Sequence, residues 1–163
     1  MPPAARITDP VSHPLPPILQ PGPGCPQVLI GFLFAWRGMP LAAVAALQAA
    51  KQAADITIQA AESATKAAAG TPGAPAAFAA EQATKASVLA SMSSMISSAA
   101  GGADIHMCVT PLPVPPRGPG VVINASPTVM IGNLPAARQG NTILEAAGPS
   151  NSIAMGCTTV MIG

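Results

Sequence analysis

The sequence predicts a mainly β protein: a pseudo-threefold cone of three β-hairpins carrying an inserted antiparallel α-helical hairpin. Three observations predict it. The stretches CPQVLIG (25–31), SPTVMIG (126–132) and CTTVMIG (157–163) repeat one unit, a small residue followed by Val-x-Ile-Gly. The chain opens with PPAARITD, which resembles the PAARQG that follows the second of those units. Residues 39–100 are alanine-rich and interrupt the β pattern.

The first two units read as complete hairpins. Val28 and Ile30 alternate with their neighbours, as do Val129 and Ile131, which is the period of a strand. Gly31-Phe32 and Gly132-Asn133 suit two-residue hairpin turns, where glycine tolerates positive φ. The return strands end in AWR (35–37) and AAR (136–138). The third unit reaches Gly163 where its return strand is due, and the opening PPAAR supplies that strand. Start and end of the chain are therefore expected to pair and close the β structure, which removes exposed strand edges. Leu29, Ile30, Met130, Ile131, Met161 and Ile162 are the candidates for core or for contact at the base.

The cone comprises residues 1–38 and 101–163, and the insertion residues 39–100. Alanine is the best helix former. Pro40 sits at a first-turn position and Gly70 at a C-cap, so 39–70 is expected as one helix. TPGAP (71–75) is a turn, and 76–100 a second helix, ended by Gly101 and Gly102. Each arm spans about 35–45 Å at 1.5 Å per residue. Lys51 and Asp55, Glu62 and Lys66, and Glu81 and Lys85 are spaced for ion pairs on an exposed face. Val44, Leu47, Ile56, Val88, Leu89, Met92 and Ile96 are the expected buried positions. Alanine faces bury little area, so the arm is expected to lie on another surface.

Composition narrows the function. Only 8% of residues are charged and the net charge is +1, so no basic patch exists to neutralise phosphates. Four aromatic residues offer no stacking platform, and nucleic acid is excluded as the partner. Three cysteines, an odd number and widely spaced, do not make a disulfide framework and fit reduced thiols. The N-terminus lacks a secretory signal pattern. The apolar run from Gly38 to Ala50 ends at Lys51, short of the roughly 20 residues a membrane span requires. No transmembrane segment is expected. Catalysis is not expected either: carboxylates are scarce, and no HExxH, phosphate loop or Ser-His-Asp order appears.

The remaining chemistry points to metal. His13 lies in TDPVSHP, and His106 and Cys108 lie in DIHMC. Both segments are expected in connections near one end of the cone. Imidazole and thiolate are zinc ligands, four in a structural site. A structural zinc would cross-link connections that lack a large core. The fourth ligand stays open between Cys157, Cys25 and Glu145. Cys157 and Cys25 hold equivalent places, where the second unit has Ser126.

PAARITDPVSHP, GCPQVLIG with AWRG, DIHMC and SPTVMIGNLPAARQGN together resemble the PAAR-repeat family. The resemblance covers roughly residues 1–38 and 101–163. It implies a small metal-bound cone at the tip of a contractile injection machine, of the type VI secretion or phage-tail-like kind. The implied partner is a trimeric spike protein, of the valine-glycine-repeat or phage-spike type, with an effector or chaperone as a further partner of the insertion. The implied site is zinc near the tip, held by His and Cys; His13 and Cys108 match best, then His106. The sequence departs at Arg117, where relatives often carry another His. The implied localisation is synthesis in a bacterial cytoplasm and delivery on the injection particle.

Overall fold

The computed structural model describes residues 1–12, 18–108 and 117–163. In chain order the elements are β1 (Pro3–Ala4), β2 (Pro21–Gly22), β3 (Cys25–Ile30), β4 (Leu33–Ala35), α1 (Leu41–Ala68), α2 (Ala74–Ala99), β5 (Ile105–Cys108), β6 (Gly118–Val122), β7 (Met130–Ile131), β8 (Leu134–Pro135), β9 (Thr142–Glu145), β10 (Asn151–Ser152) and β11 (Cys157–Met161). Three two-stranded antiparallel ladders form: β3 with β4, β7 with β8, and β1 with β11. The last joins the two ends of the chain, with Pro3 opposite Met161 and Ala4 opposite Cys157. The third hairpin is thus completed by the N-terminal strand, as its sequence requires.

The three return strands meet in a closed ring of backbone hydrogen bonds. Ala5 N–H donates to the Ala137 carbonyl, Ala137 N–H to Trp36, and Trp36 N–H to Ala5, each at 2.9 Å. Flanking bridges join Ala4 to Arg138, Arg6 to Ala35 and Arg37 to Ala136. The next residue obeys the same rule: Ile7, Gly38 and Gln139 donate to the carbonyls of Phe34, Pro135 and Pro3. These repeats are the pseudo-threefold axis. Buried amides in the ring all find partners, which closure makes possible without a sheet edge.

Both predicted turns are tight and left-handed, with φ of 56° and 66° at Gly31 and Phe32, and 55° and 64° at Gly132 and Asn133. Positive φ at both central residues matches the twist of the paired strands. The strand alternation then divides the hydrophobic set that the sequence left undivided. Ile30, Ile131 and Ile162 are buried in one cluster with Ala4, Ala35 and Ala136. Leu29, Met130 and Met161 face outward, 60%, 55% and 46% exposed.

Beyond the ring lies a five-stranded antiparallel sheet in the order β10-β9-β6-β5-β2. DIHMC is part of it: His106 and Cys108 lie in strand β5, not in a connection. The short Ile-His-Met-Cys run alternates buried and exposed, a signal too brief to separate from a loop in the sequence alone. Val11, Leu19, Trp36, Val122, Ile143 and Ile153 fill the interior between sheet and ring.

The helical arm leaves this body after Met39 and returns at Asp104. Pro75 stands in the first turn of α2, where its missing N–H costs nothing, and α2 therefore begins inside the stretch expected as a turn. Gly70 follows the end of α1 with φ 78°, the left-handed conformation that terminates helices. Leu47, Met92 and Ile96 pack with Val121, Ile123, Leu134 and Leu144 of the β body; Val44, Val88 and Leu89 flank them. Ile56 departs from expectation and is 67% exposed. Glu62 also departs: it pairs across the arm with Lys85 at 2.8 Å rather than with Lys66. The expected pairs Lys51–Asp55 and Glu81–Lys85 form, yet Lys51 and Glu81 are buried rather than on an open face. Small alanines bring the helices close enough to enclose these long side chains. Among the described residues no helix is long and apolar enough to cross a membrane.

Candidate functional site

The base of the molecule is built from the three hairpins and locked at three corners by arginines. Arg6 donates its backbone N–H to Asp9 Oδ2 at 2.7 Å and its Nη2 to Oδ1 at 2.8 Å. Arg37 makes the same two contacts with Asp104, both at 2.8 Å. At the third corner Arg138 N–H reaches Asn141 Oδ1 at 2.8 Å. Hydrogen bonding to Asp9 and Asp104 raises the pKa of the two paired guanidinium groups. These bonds are charge-assisted and partly buried, so they hold the corners rigid.

Each corner also supports the turn of a neighbouring hairpin. A side chain added at Gly31 would place its Cβ 2.8 Å from Arg6 Nη1 and 3.3 Å from Cys157 Sγ. The equivalent atom at Gly132 would stand 3.6 Å from both Arg37 Nη1 and Cys25 Sγ. In the third case Ser126 Oγ donates to the Gly163 carbonyl at 2.5 Å. The small residue opening each unit therefore seats a turn. Ring, arginine corners and seated turns present Leu29, Met130 and Met161 as a threefold set of apolar contacts on a closed β surface.

At the other layer stand the metal candidates. His106 and Cys108 are two apart on β5, buried and on one face. His106 lies opposite Gly120 of β6, which lies opposite Glu145 of β9. A Cβ at Gly120 would come 3.0 Å from Glu145 Cγ, so glycine keeps open the space between imidazole and carboxylate. His106 Nε2 is 3.9 Å from Glu145 Oε1. Asn151 Nδ2 donates to the same oxygen at 2.7 Å, and Arg117 Nη1 stands 3.6 Å from Oε2. Burial pushes the Glu145 carboxyl up, against the opposing pull of Asn151 and Arg117.

His13 lies outside the described residues. Cys157 and Cys25 sit together in the base cluster, not with His106 and Cys108, and Cys157 Sγ is 3.2 Å from Thr159 Oγ1. Among the described residues no three of His, Cys, Asp and Glu form a metal-sized group. The corners supply a signal that residue-by-residue reading missed. Asp9, Asp104 and Asn141 are equivalent in the ring, and four residues beyond them come His13, Cys108 and Glu145. A buried histidine and cysteine on one strand face, with the Glu145 carboxyl 3.9 Å from the imidazole, are donor types that suit zinc.

The model of one protein family, the PAAR motif, matches residues 114–163. No curated protein and no solved structure matches the chain. Over residues 114–163, which hold β6 to β11, the chain is similar to the PAAR motif; β1, the strand that completes the third hairpin, lies outside the match.

Proposed function

Because residues 114–163 are similar to the PAAR motif, we propose that the chain is the tip of a contractile injection machine, capping a trimeric spike. The observation that carries this reading is the closed ring of Ala5, Trp36 and Ala137. It gives a single chain a base of pseudo-threefold form, which one copy can present to three identical spike chains. Leu29, Met130 and Met161 supply the apolar contacts, one per hairpin. Burying exposed apolar surface at about 25 cal/mol per Å² drives such seating. The work of the protein is then mechanical: it closes and sharpens the spike and leads it through the target envelope.

Zinc, held by His106 and Cys108 with His13 the third donor that the sequence points to, would tie β5 to the N-terminal part of the chain. Glu145 stands 3.9 Å from His106, and Cys157 packs with Cys25 in the base cluster. Bound zinc contributes folding free energy and stiffness. None of these residues is assigned a reaction.

A second reading, an adaptor for an effector or chaperone, draws on the exposed Ile56 and Phe78 of the arm. Co-expression with a trimeric spike separates the two. The triple variant Leu29→Asp/Met130→Asp/Met161→Asp keeps its circular dichroism and loses the spike. If instead it still co-purifies with the spike, the base is not the docking surface.

A further inference from the structure

The arm enters and leaves the body at one corner, and that corner is closed in the same way as the two that carry no insertion. The Asp9 N–H donates to the Arg6 carbonyl at 3.2 Å, and the Asn141 N–H to Arg138 at 3.1 Å. The Asp104 N–H still donates to the Arg37 carbonyl, at 3.3 Å, although the whole arm lies between them. The residue before the insertion also keeps its place. Thr8 donates to Leu19, Gly140 to Ile153 and Met39 to Val122, at 2.8, 2.9 and 3.0 Å. The threefold pattern therefore runs unbroken to Met39 and resumes at Asp104, so residues 40–103 are inserted at a single peptide position.

We infer that this corner is an attachment port for folded chain, and that the peptide between Gly140 and Asn141 is a second port of the same kind. The ligand class is a polypeptide domain, joined covalently, whose ends lie a turn apart. Gly140 is exposed, and a Cβ built on it meets no atom within 4 Å. It has φ 82°, as Thr8 has 66°, whereas Met39 at the occupied corner is not left-handed. Glycine adopts this φ without steric penalty, so the turn at Gly140 is open and unstrained. Asn141 holds its corner through its side chain, to Arg138 N–H at 2.8 Å and to the Asn124 carbonyl at 2.7 Å. Those bonds do not pass through the Gly140–Asn141 peptide. The inference does not depend on the spike-tip reading, because it concerns only how the body tolerates cargo.

The test inserts a small, independently folded helical domain between Gly140 and Asn141 of the full chain. A control carries the same domain between Ala137 and Arg138, inside the ring strand. The measurement is amide hydrogen exchange at Ala5, Trp36 and Ala137, with thermal unfolding of the body. The expected result is slow exchange at all three amides and a midpoint within about 5 °C of the parent for the Gly140 insertion. The control is expected to lose both. Fast exchange in the Gly140 insertion overturns the inference, and so does equal tolerance of both insertions, since the corner would then have no special standing.

Discussion

Ala4 and Cys157 stand opposite each other in the antiparallel pair of β1 and β11, one near the start of the chain and one near its end. Ala35 and Cys25 are opposed in the same way in the first hairpin. Opposed Cα atoms in an antiparallel ladder lie within the range that a disulfide spans. The variant Ala4→Cys is therefore expected to oxidise onto Cys157. Mild oxidation should leave two titratable thiols of four, since the parent sequence has three cysteines. Four remaining thiols under conditions that leave the fold intact would mean that head and tail are not paired.

Trp36 breaks the symmetry of the ring. Its two counterparts, Ala5 and Ala137, are alanines, and all three are fully buried. One indole thus fills space that three small side chains would leave empty. Trp36→Ala is expected to cost about 3–5 kcal/mol in urea unfolding, by loss of transfer energy and creation of a cavity. Trp36→Phe should cost clearly less, because Trp36 Nε1 has no hydrogen-bond partner among the described residues.

The legible part of this molecule is what recurs. Val-x-Ile-Gly and Ala-x-Arg occur at equivalent places, so hairpins, turns and closure were all readable, and alanine content revealed the arm. The five-stranded sheet was not. Its two edge strands, Asn151–Ser152 and Pro21–Gly22, are two residues long, too short to show a period. They exist because the body offers backbone partners, not because their side chains demand it. Glu62 illustrates a second limit. Spacing along a helix identified Lys66, whereas antiparallel packing brings Lys85 to it. Of the site, His106 and Cys108 were legible as donor types, and the place of Cys157 was not, because separation between layers leaves no mark on the sequence.

Lys85 binds Glu62 and Glu81 at 2.8 and 2.6 Å, joining the two helices of the arm. The hydrogen bond from Lys85, followed by that of Thr65, lowers the Glu81 pKa below its ordinary value of 4.5. A depressed carboxyl favours the folded state above that value, and the benefit is lost as pH falls through the folded pKa. Helical circular dichroism of the arm should therefore melt earlier as pH drops below 4.5. Glu81→Gln is expected to flatten that dependence. An unchanged slope in the variant would remove Glu81 as its source.

Metal analysis tests the donor set directly. Purified protein is expected to hold about one zinc per chain, and the double variant His13→Ala/Cys108→Ala none. Chelation should lower the unfolding midpoint of the parent and leave that of the variant unmoved. Equal metal in both proteins would remove these two residues as ligands.

The threefold base makes its sharpest demand on stoichiometry. Native mass spectrometry of the chain co-expressed with the trimeric spike proposed as its partner is expected to give one chain for each three spike chains, a ratio that a closed pseudo-threefold base satisfies alone. A complex holding three copies on one trimer, or copies bound singly to separated spike chains, would contradict it.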